Sequence, residues 1–265
     1  MRNFLRAELY YLRRDTAFKS INVTFILACA LLMVIFGTKG GYELSSAAQP
    51  LRTAASLSLF LYLIIPLHAC FFSTEGFEHG SAQNIIAAGR SRRSYFLGKY
   101  MLELLAVCWW LLLYFGLFYI LYLTAALVTG ARIGNESLGE DLSMAVRAIG
   151  LNIVYLAAYA AAVMMLGMLI RKAASAVVAT FFFIFGNLLL SGYLKDSSSA
   201  VLRSVSDYSL MTQVMKFSGM YTAGSEQILL SGAGDYLRAV MIPVLVIAAC
   251  LSVALVVVEK KDIQL

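Results

Sequence analysis

Residues 173–194, AASAVVATFFFIFGNLLLSGYL, contain no charged side chain, and the charged pairs Arg171-Lys172 and Lys195-Asp196 stand on either side of them. A helix needs about 20 predominantly apolar residues to cross a hydrocarbon core of about 30 Å. This stretch is therefore long enough to span a bilayer, and its flanking charges fall at the depth of the headgroups. It predicts a membrane-spanning helix.

Five further stretches have the same character, at about residues 20–37, 53–73, 100–128, 148–170 and 237–258. The composition agrees, because 61% of the 265 residues are hydrophobic and only 14% are charged, against about 45–50% and about 25% in a soluble domain. A water-soluble globule is excluded. The predicted fold class is an all-α polytopic membrane protein, a single transmembrane domain over residues 1–265 with six transmembrane helices.

The distribution of charge predicts the orientation. With six spans both termini share one side, and that side carries thirteen Lys and Arg against eight on the other, which leaves the whole net charge of +6 there. The positive-inside rule makes this side cytoplasmic. Such a face suits the anionic headgroups of the lipid bilayer. Because the charges are scattered over four short segments, no nucleic-acid partner is predicted.

Residues 1–19 predict a separate amphipathic helix. Phe4, Leu5, Leu9 and Leu12 recur at helical spacing, while the arginines fall largely on the other side of the helical wheel. We expect this helix to lie in the inner headgroup layer and the first span to begin near Ser20.

Residues 74–99, between the second and third predicted spans, form the most informative segment. Residues 74–88 can continue as a helix, Gly89 can end it, and Ser91 can cap the next one. A short helix held under the membrane offers apolar and charged side chains to a cytosolic partner, here Phe77, Ile85, Ile86, Glu75, Glu78, Arg90, Arg92 and Arg93. The alternative is a solvated loop whose arginines only enforce topology.

The same segment resembles the pattern found between the second and third spans of ABC-2 type transporter permeases. The resemblance rests on Glu75, Gly80, Ile85-Ile86, Gly89, Ser91-Arg92-Arg93 and Gly98-Lys99, and it departs at Ala88-Gly89, where many members carry a proline. It implies a permease of the bacterial cytoplasmic membrane that forms a homodimer, or a heterodimer with a related permease. It also implies two copies of a separate ABC ATP-binding subunit, with residues 74–99 as the coupling segment.

The chain lacks a phosphate-binding P-loop, since Gly98-Lys99 is followed by Tyr100 and preceded five positions earlier by Arg93. We therefore expect no cofactor or metal on this chain and place ATP and Mg in the partner subunit. His68 and His79, with Glu75 and Glu78, are the one cluster that resembles a metal or acid–base set, but no HExxH motif is present. The permease itself is not expected to be catalytic.

The resemblance also implies that the second and fifth spans line a translocation path. Its candidate residues are Tyr62, His68, Phe71, Phe181, Phe182, Phe185 and Asn187. Aromatic lining suits an amphipathic or hydrophobic cargo, whereas the alternative is that these rings face lipid or pack between helices. His68 has its own alternative, a helix-end histidine bonded to a neighbouring carbonyl.

Charges within the spans are few. We expect Glu103 and Arg147 to reach the interfaces from near the ends of their helices. No series of buried Asp, Glu or His stands out, which argues against proton-coupled transport. Glu136, Glu140 and Asp141 indicate a solvated loop, and residues 195–236 indicate short, half-buried outer helices that the resemblance makes an outward gate.

The predicted function is the membrane-spanning subunit of an ATP-driven exporter, with an antimicrobial peptide, bacteriocin or drug as cargo, in self-immunity or efflux. Export of a polysaccharide or lipid-linked glycan is the nearest alternative. An ATP-independent transporter or channel, and then an intramembrane enzyme, remain as further alternatives.

Overall fold

The computed structural model describes residues 2–134, 138–195, 197–223, 226–227, 230 and 232–260. The helices in this part of the chain are α1 (Arg2–Arg14), α2 (Thr16–Gly40), α3 (Gln49–Ser56), α4 (Leu61–Glu78), α5 (Ser81–Ala87), α6 (Arg92–Thr129), α7 (Leu138–Ile170), α8 (Ala173–Lys195), α9 (Ala200–Asp207), α10 (Leu210–Phe217) and α11 (Ala233–Lys260). A 3-10 turn, Ser58–Phe60, leads into α4. Strands β1 (Thr222–Ala223) and β2 (Glu226–Gln227) form a short antiparallel pair.

Six helical segments are long and apolar enough to cross a membrane: α2, α4 with its preceding turn, α6, α7, α8 and α11. Many large apolar side chains on them are exposed, among them Leu27, Leu112 and Val128. In water such a surface would aggregate, whereas in a bilayer it faces lipid. The fold is a helical multi-pass membrane protein, as the sequence predicts.

Helix α7 forms the centre of the bundle and packs against α4 and α11, while α2 packs against α6 and α8 against α4. The run Ala157–Ala162 of α7 consists of alanines around Tyr159, and all six side chains are buried. Small side chains let neighbouring backbones approach closely, which is how helices associate where the solvent is itself apolar. The alanine run therefore sets the spacing of the bundle.

The connections between spans gather at opposite ends of the bundle. At one end, Glu78 after the second span bonds to Ala173 at the start of α8, and Arg93 pairs with Glu259 at the end of α11. At the other end, Leu44 and Ile133 form a β-bridge. The loops therefore alternate between the two ends of the bundle, as six successive spans require.

The N-terminal boundary differs from the prediction. Helix α1 ends at Arg14 and α2 begins at Thr16 rather than near Ser20. The cause is Asp15, whose carboxylate accepts hydrogen bonds from the backbone N–H groups of Ala17 at 3.1 Å and Phe18 at 3.2 Å. This N-cap starts α2 one turn early and separates the two helices.

The loop after the third span also differs from the prediction. Asp141 lies in the first turn of α7 and is buried, and its carboxylate accepts hydrogen bonds from Ser46 at 2.5 Å and Arg52 at 3.1 Å. The expectation that this residue belongs to a solvated connection is wrong, because its side chain is buried against partners that lie 95 and 89 residues earlier in the chain. Glu140 is exposed, and Glu136 lies outside the described residues.

Residues 195–236 contain α9, α10 and the strand pair in their described part. Leu210, Met211 and Val214 of α10 are buried, and Tyr155 of α7 packs against Phe217. Helix α10 is half-buried, as expected, whereas the expectation is wrong for α9, where Leu202 and Val205 are exposed.

We predict that Ala158→Leu lowers the free energy of unfolding by about 1–3 kcal/mol, because the added methylenes overfill a closed interface. Thermal unfolding in detergent, followed by tryptophan fluorescence, measures the change. The matched control is Ala249→Leu on α11, where the side chain is exposed and the larger group only adds lipid contact. Equal destabilisation by the two variants would contradict the packing described for α7.

Candidate functional site

The segment predicted to meet a partner forms a short helix beneath the spans. Helix α5 lies between Gly80, with φ of +69°, and Gly89, with φ of +91°. Glycine adopts this left-handed region without the cost of a side chain, so both turns are sharp. Since α5 is held between α4 and α6, its position depends on both of these spans.

The end of α4, just before α5, is bound to the start of α8. The Glu78 carboxylate accepts a hydrogen bond of 2.7 Å from the Ala173 backbone N–H, which caps the first turn of that helix. The Arg171 guanidinium lies over the Phe77 ring at 5.4 Å, and Phe77 packs edge-on against Tyr95. Partial burial and the nearby Arg92 lower the pKa of Arg171.

The start of α6, just after α5, is bound to the end of α11. Arg92 donates to the backbone carbonyl of Glu259 at 3.2 Å. Arg93 donates to the Glu259 carboxylate at 2.7 Å and forms an ion pair with it. Cations suit the carbonyl-rich end of a helix, so the two arginines attach α6 to α11 at the same end of the bundle.

The residues predicted for the partner surface therefore divide into two sets. Phe77 and Ile85 pack against the core of this chain, while Glu78, Arg92 and Arg93 bond within it. Glu75 is exposed, and Ile86 and Arg90 are half-buried; the Arg90 guanidinium lies 5.8 Å from the Phe4 ring. The surface left for a partner is smaller and more polar than the sequence predicts.

A buried polar network lies nearby, within the spans. His68 of α4 and Glu103 of α6 are both buried, and His68 Nδ1 lies 3.0 Å from Glu103 Oε2. The Asp15 carboxylate lies 3.9 Å from the opposite ring nitrogen, Nε2. Within the described part of the chain Nε2 has no hydrogen-bond partner. The pair can hold a proton, and Nε2 offers a second position for one.

A second ion pair lies one turn from Glu103 on the same helix. Lys99 Nζ lies 2.9 Å from Glu8 of α1, and both side chains are at least nine-tenths buried. The Lys99 ammonium also lies 4.0 Å from the centre of the Phe72 ring, which stacks on His68 at 5.8 Å. The network thus joins α1, α4 and α6 through paired charges.

The expectation that Glu103 reaches an interface is wrong, because its carboxylate is fully buried against His68. The structure places one such pair, His68–Glu103, inside the spans, with the partly exposed Asp15 beside it. Lys99 and Glu103 stand four residues apart on one span, a spacing that indicates one helix face. This four-residue spacing can be read in the sequence and indicates buried polar groups on one face of α6, but it does not identify their partners on α1 and α4.

The residues predicted to line a path are not brought together within one chain. Tyr62 and His68 are buried, and the Tyr62 hydroxyl donates to Asn152 at 3.0 Å. In contrast, four of the phenylalanines are exposed on the outside of the bundle: Phe71, Phe181, Phe182 and Phe185. Asn187 donates to the backbone carbonyl of Phe183 in its own helix. The aromatic rings form an outer surface of this chain, not an internal channel.

Among the described residues, no group of three or more His, Cys, Asp or Glu is placed to hold a metal ion. The two histidines of the predicted cluster also separate, since His68 is buried and His79 is exposed at the end of α4.

Six spans around a buried polar network define a helical multi-pass membrane protein. The chain matches the family described as "Protein of unknown function (DUF2705)" over residues 21–264, and it belongs to that family. None of the curated proteins matches the chain. The family description names no activity, so we infer the function from the geometry.

We predict that Glu103→Ala lowers the free energy of unfolding by about 3 kcal/mol, because it leaves His68 and the nearby charges without a buried counter-charge. The double variant His68→Leu/Glu103→Leu is expected to recover most of this loss, since both polar groups are then removed. Unfolding in detergent measures both variants.

Glu140→Ala, which removes an exposed carboxylate, serves as the control and is expected to have little effect. If Glu103→Ala is no more harmful than this control, the buried pair does not stabilise the bundle.

Proposed function

We propose that the chain is the membrane-spanning permease subunit of an ATP-driven exporter of the ABC-2 type. The observation that carries the proposal is that α5 lies between the ends of two spans, each of which is attached to a further span at the same end of the bundle. By chain connection α5 joins α4 and α6; Glu78 at the end of α4 bonds to α8, and Arg92 and Arg93 at the start of α6 bond to α11. A force applied to α5 would be passed to all four helices.

In this proposal, the end that carries α5 faces the cytoplasm of a bacterial cell, together with both termini. The excess of Lys and Arg at this end supports that orientation. Helix α1 lies in the inner headgroup layer, with its arginines toward the phosphates. Two ABC ATP-binding subunits supply ATP and Mg and dock under α5, and their closure moves it; this chain binds no cofactor and catalyses no reaction.

Two permease copies, as a homodimer or with a related permease, are proposed to enclose the path between them. The outward phenylalanines support this, because Phe181 and Phe185 stack at 5.8 Å with both rings partly exposed. Such a surface can face a second copy or an amphipathic cargo. The cargo is proposed to be an antimicrobial peptide, bacteriocin or drug, and a polysaccharide or lipid-linked glycan remains the alternative.

A second candidate function has one observation in its favour. The buried pair His68–Glu103, with Asp15 beside it, is the kind of group that proton-coupled transporters use. An ATP-independent transporter would therefore drive cargo by a proton gradient through this pair. The two candidates differ in whether an ATPase is needed.

We predict that Glu75→Arg reduces transport-coupled ATP hydrolysis about tenfold when the chain is reconstituted with its ATPase. Glu75 is exposed next to α5, so reversing its charge disturbs a docking surface without opening the core. Hydrolysis and cargo transport are measured together in vesicles, and thermal unfolding confirms that the fold is intact.

The matched control is Glu140→Arg, the same change on an exposed carboxylate at the opposite end of the bundle, which should leave coupling unchanged. Equal loss in both variants would contradict docking at α5. Transport by the chain alone, driven by a pH gradient without ATP and lost in His68→Gln, would establish the second candidate instead.

A further inference from the structure

An apolar slot lies between the N-terminal helix and the first and third spans. Its volume is about 340 Å³, and it is lined almost entirely by apolar atoms. The lining residues are Leu9, Leu12 and Arg13 of α1, Phe18 of α2, and Leu105, Ala106 and Trp109 of α6. Leu105 and Trp109 are each at least half exposed, so the slot opens to the outside of the bundle.

The slot is held open by contacts on both sides of it. The buried Lys99–Glu8 pair fixes α1 on α6, and a side chain larger than hydrogen at Gly98 would meet the Phe4 ring. On the other side, the Trp109 indole N–H donates to Asn22 of α2 at 2.9 Å. The walls are therefore fixed by paired groups, and the slot is a preformed feature of the fold.

One charged side chain, Arg13, lines the slot. Arg13 lies in the last turn of α1 and is exposed, and among the described residues its guanidinium has no hydrogen-bond or ion-pair partner. Leu105 and Trp109 lie farther along α6, and one turn of helix between them covers about 6 Å of depth. An exposed cation beside an otherwise apolar wall matches the headgroup and the acyl chain of a phospholipid.

We propose that this slot binds an anionic phospholipid, with its phosphate on Arg13 and one acyl chain along Leu105 and Trp109. A guanidinium binds phosphate oxygens in a fork, which a zwitterionic headgroup satisfies less well because it brings its own cation. The basic end of the bundle raises the local concentration of anionic lipid. The site is independent of the transport function proposed above.

The two tryptophans of the chain provide a direct test. Trp109 is half exposed at the slot, while Trp110 is fully buried, so a bromine atom on a lipid acyl chain can quench Trp109 alone. The protein is reconstituted in phosphatidylcholine vesicles that contain increasing amounts of brominated phosphatidylglycerol or brominated phosphatidylcholine. We expect half-maximal quenching at about fivefold less of the anionic lipid, the factor that one cationic contact supplies.

Substitutions test whether the preference for the anionic lipid arises at the slot. Trp109→Phe should abolish the quenching, and Arg13→Gln should make the two lipids equivalent, while Arg13→Lys keeps most of the preference. The matched control is Arg6→Gln, which removes the same charge from an exposed position of the same helix outside the slot and should retain the preference.

Three results would overturn the proposal. Equal quenching by both lipids in the unaltered protein means contact with bulk lipid only. An equal loss of preference in Arg6→Gln and Arg13→Gln means diffuse surface charge. No quenching by either lipid means that protein, such as a second copy of the chain, covers the slot.

Discussion

The pairing of buried charges determines how α1 and α4 pack against α6. Lys99 and Glu103 stand one turn apart on α6, and each takes its partner from another helix, Glu8 of α1 and His68 of α4. A charge left unpaired in the apolar interior would cost several kcal/mol. The register of α1, α4 and α6 is therefore fixed, and the apolar slot between α1 and α6 follows from it.

The same end of the bundle carries a second set of contacts, which join α4 to α8 and α6 to α11. Glu78 caps α8, and Arg92 and Arg93 hold the end of α11. Because these residues bond within the chain, the surface open to a partner at α5 is centred on Glu75 and on exposed positions such as Asn84. The residues that pair inside the bundle thus differ from the exposed residues at which we propose that a partner docks.

Composition and hydropathy were enough to predict the six spans, since a run such as residues 173–194 fits only a bilayer. Helix boundaries were less accurate because they depend on local caps, of which the Asp15 cap of α2 is the clearest example. The buried network could not be predicted, since His68 and Glu103 lie 35 residues apart on different helices. Which face of a uniformly apolar helix turns outward, as at Phe182, also depends on the packed structure.

Docking of an ATPase under α5 is the central claim, and site-specific photo-crosslinking in native membranes tests it most directly. A photoreactive amino acid at Asn84, exposed on α5, is predicted to link the chain to a protein that carries the G-x-x-x-x-G-K-[ST] phosphate-binding motif. The same group at Ser143, exposed near the opposite end of the bundle, should not. Crosslinks from Asn84 that contain no such ATPase, or the same products from both positions, would contradict the account.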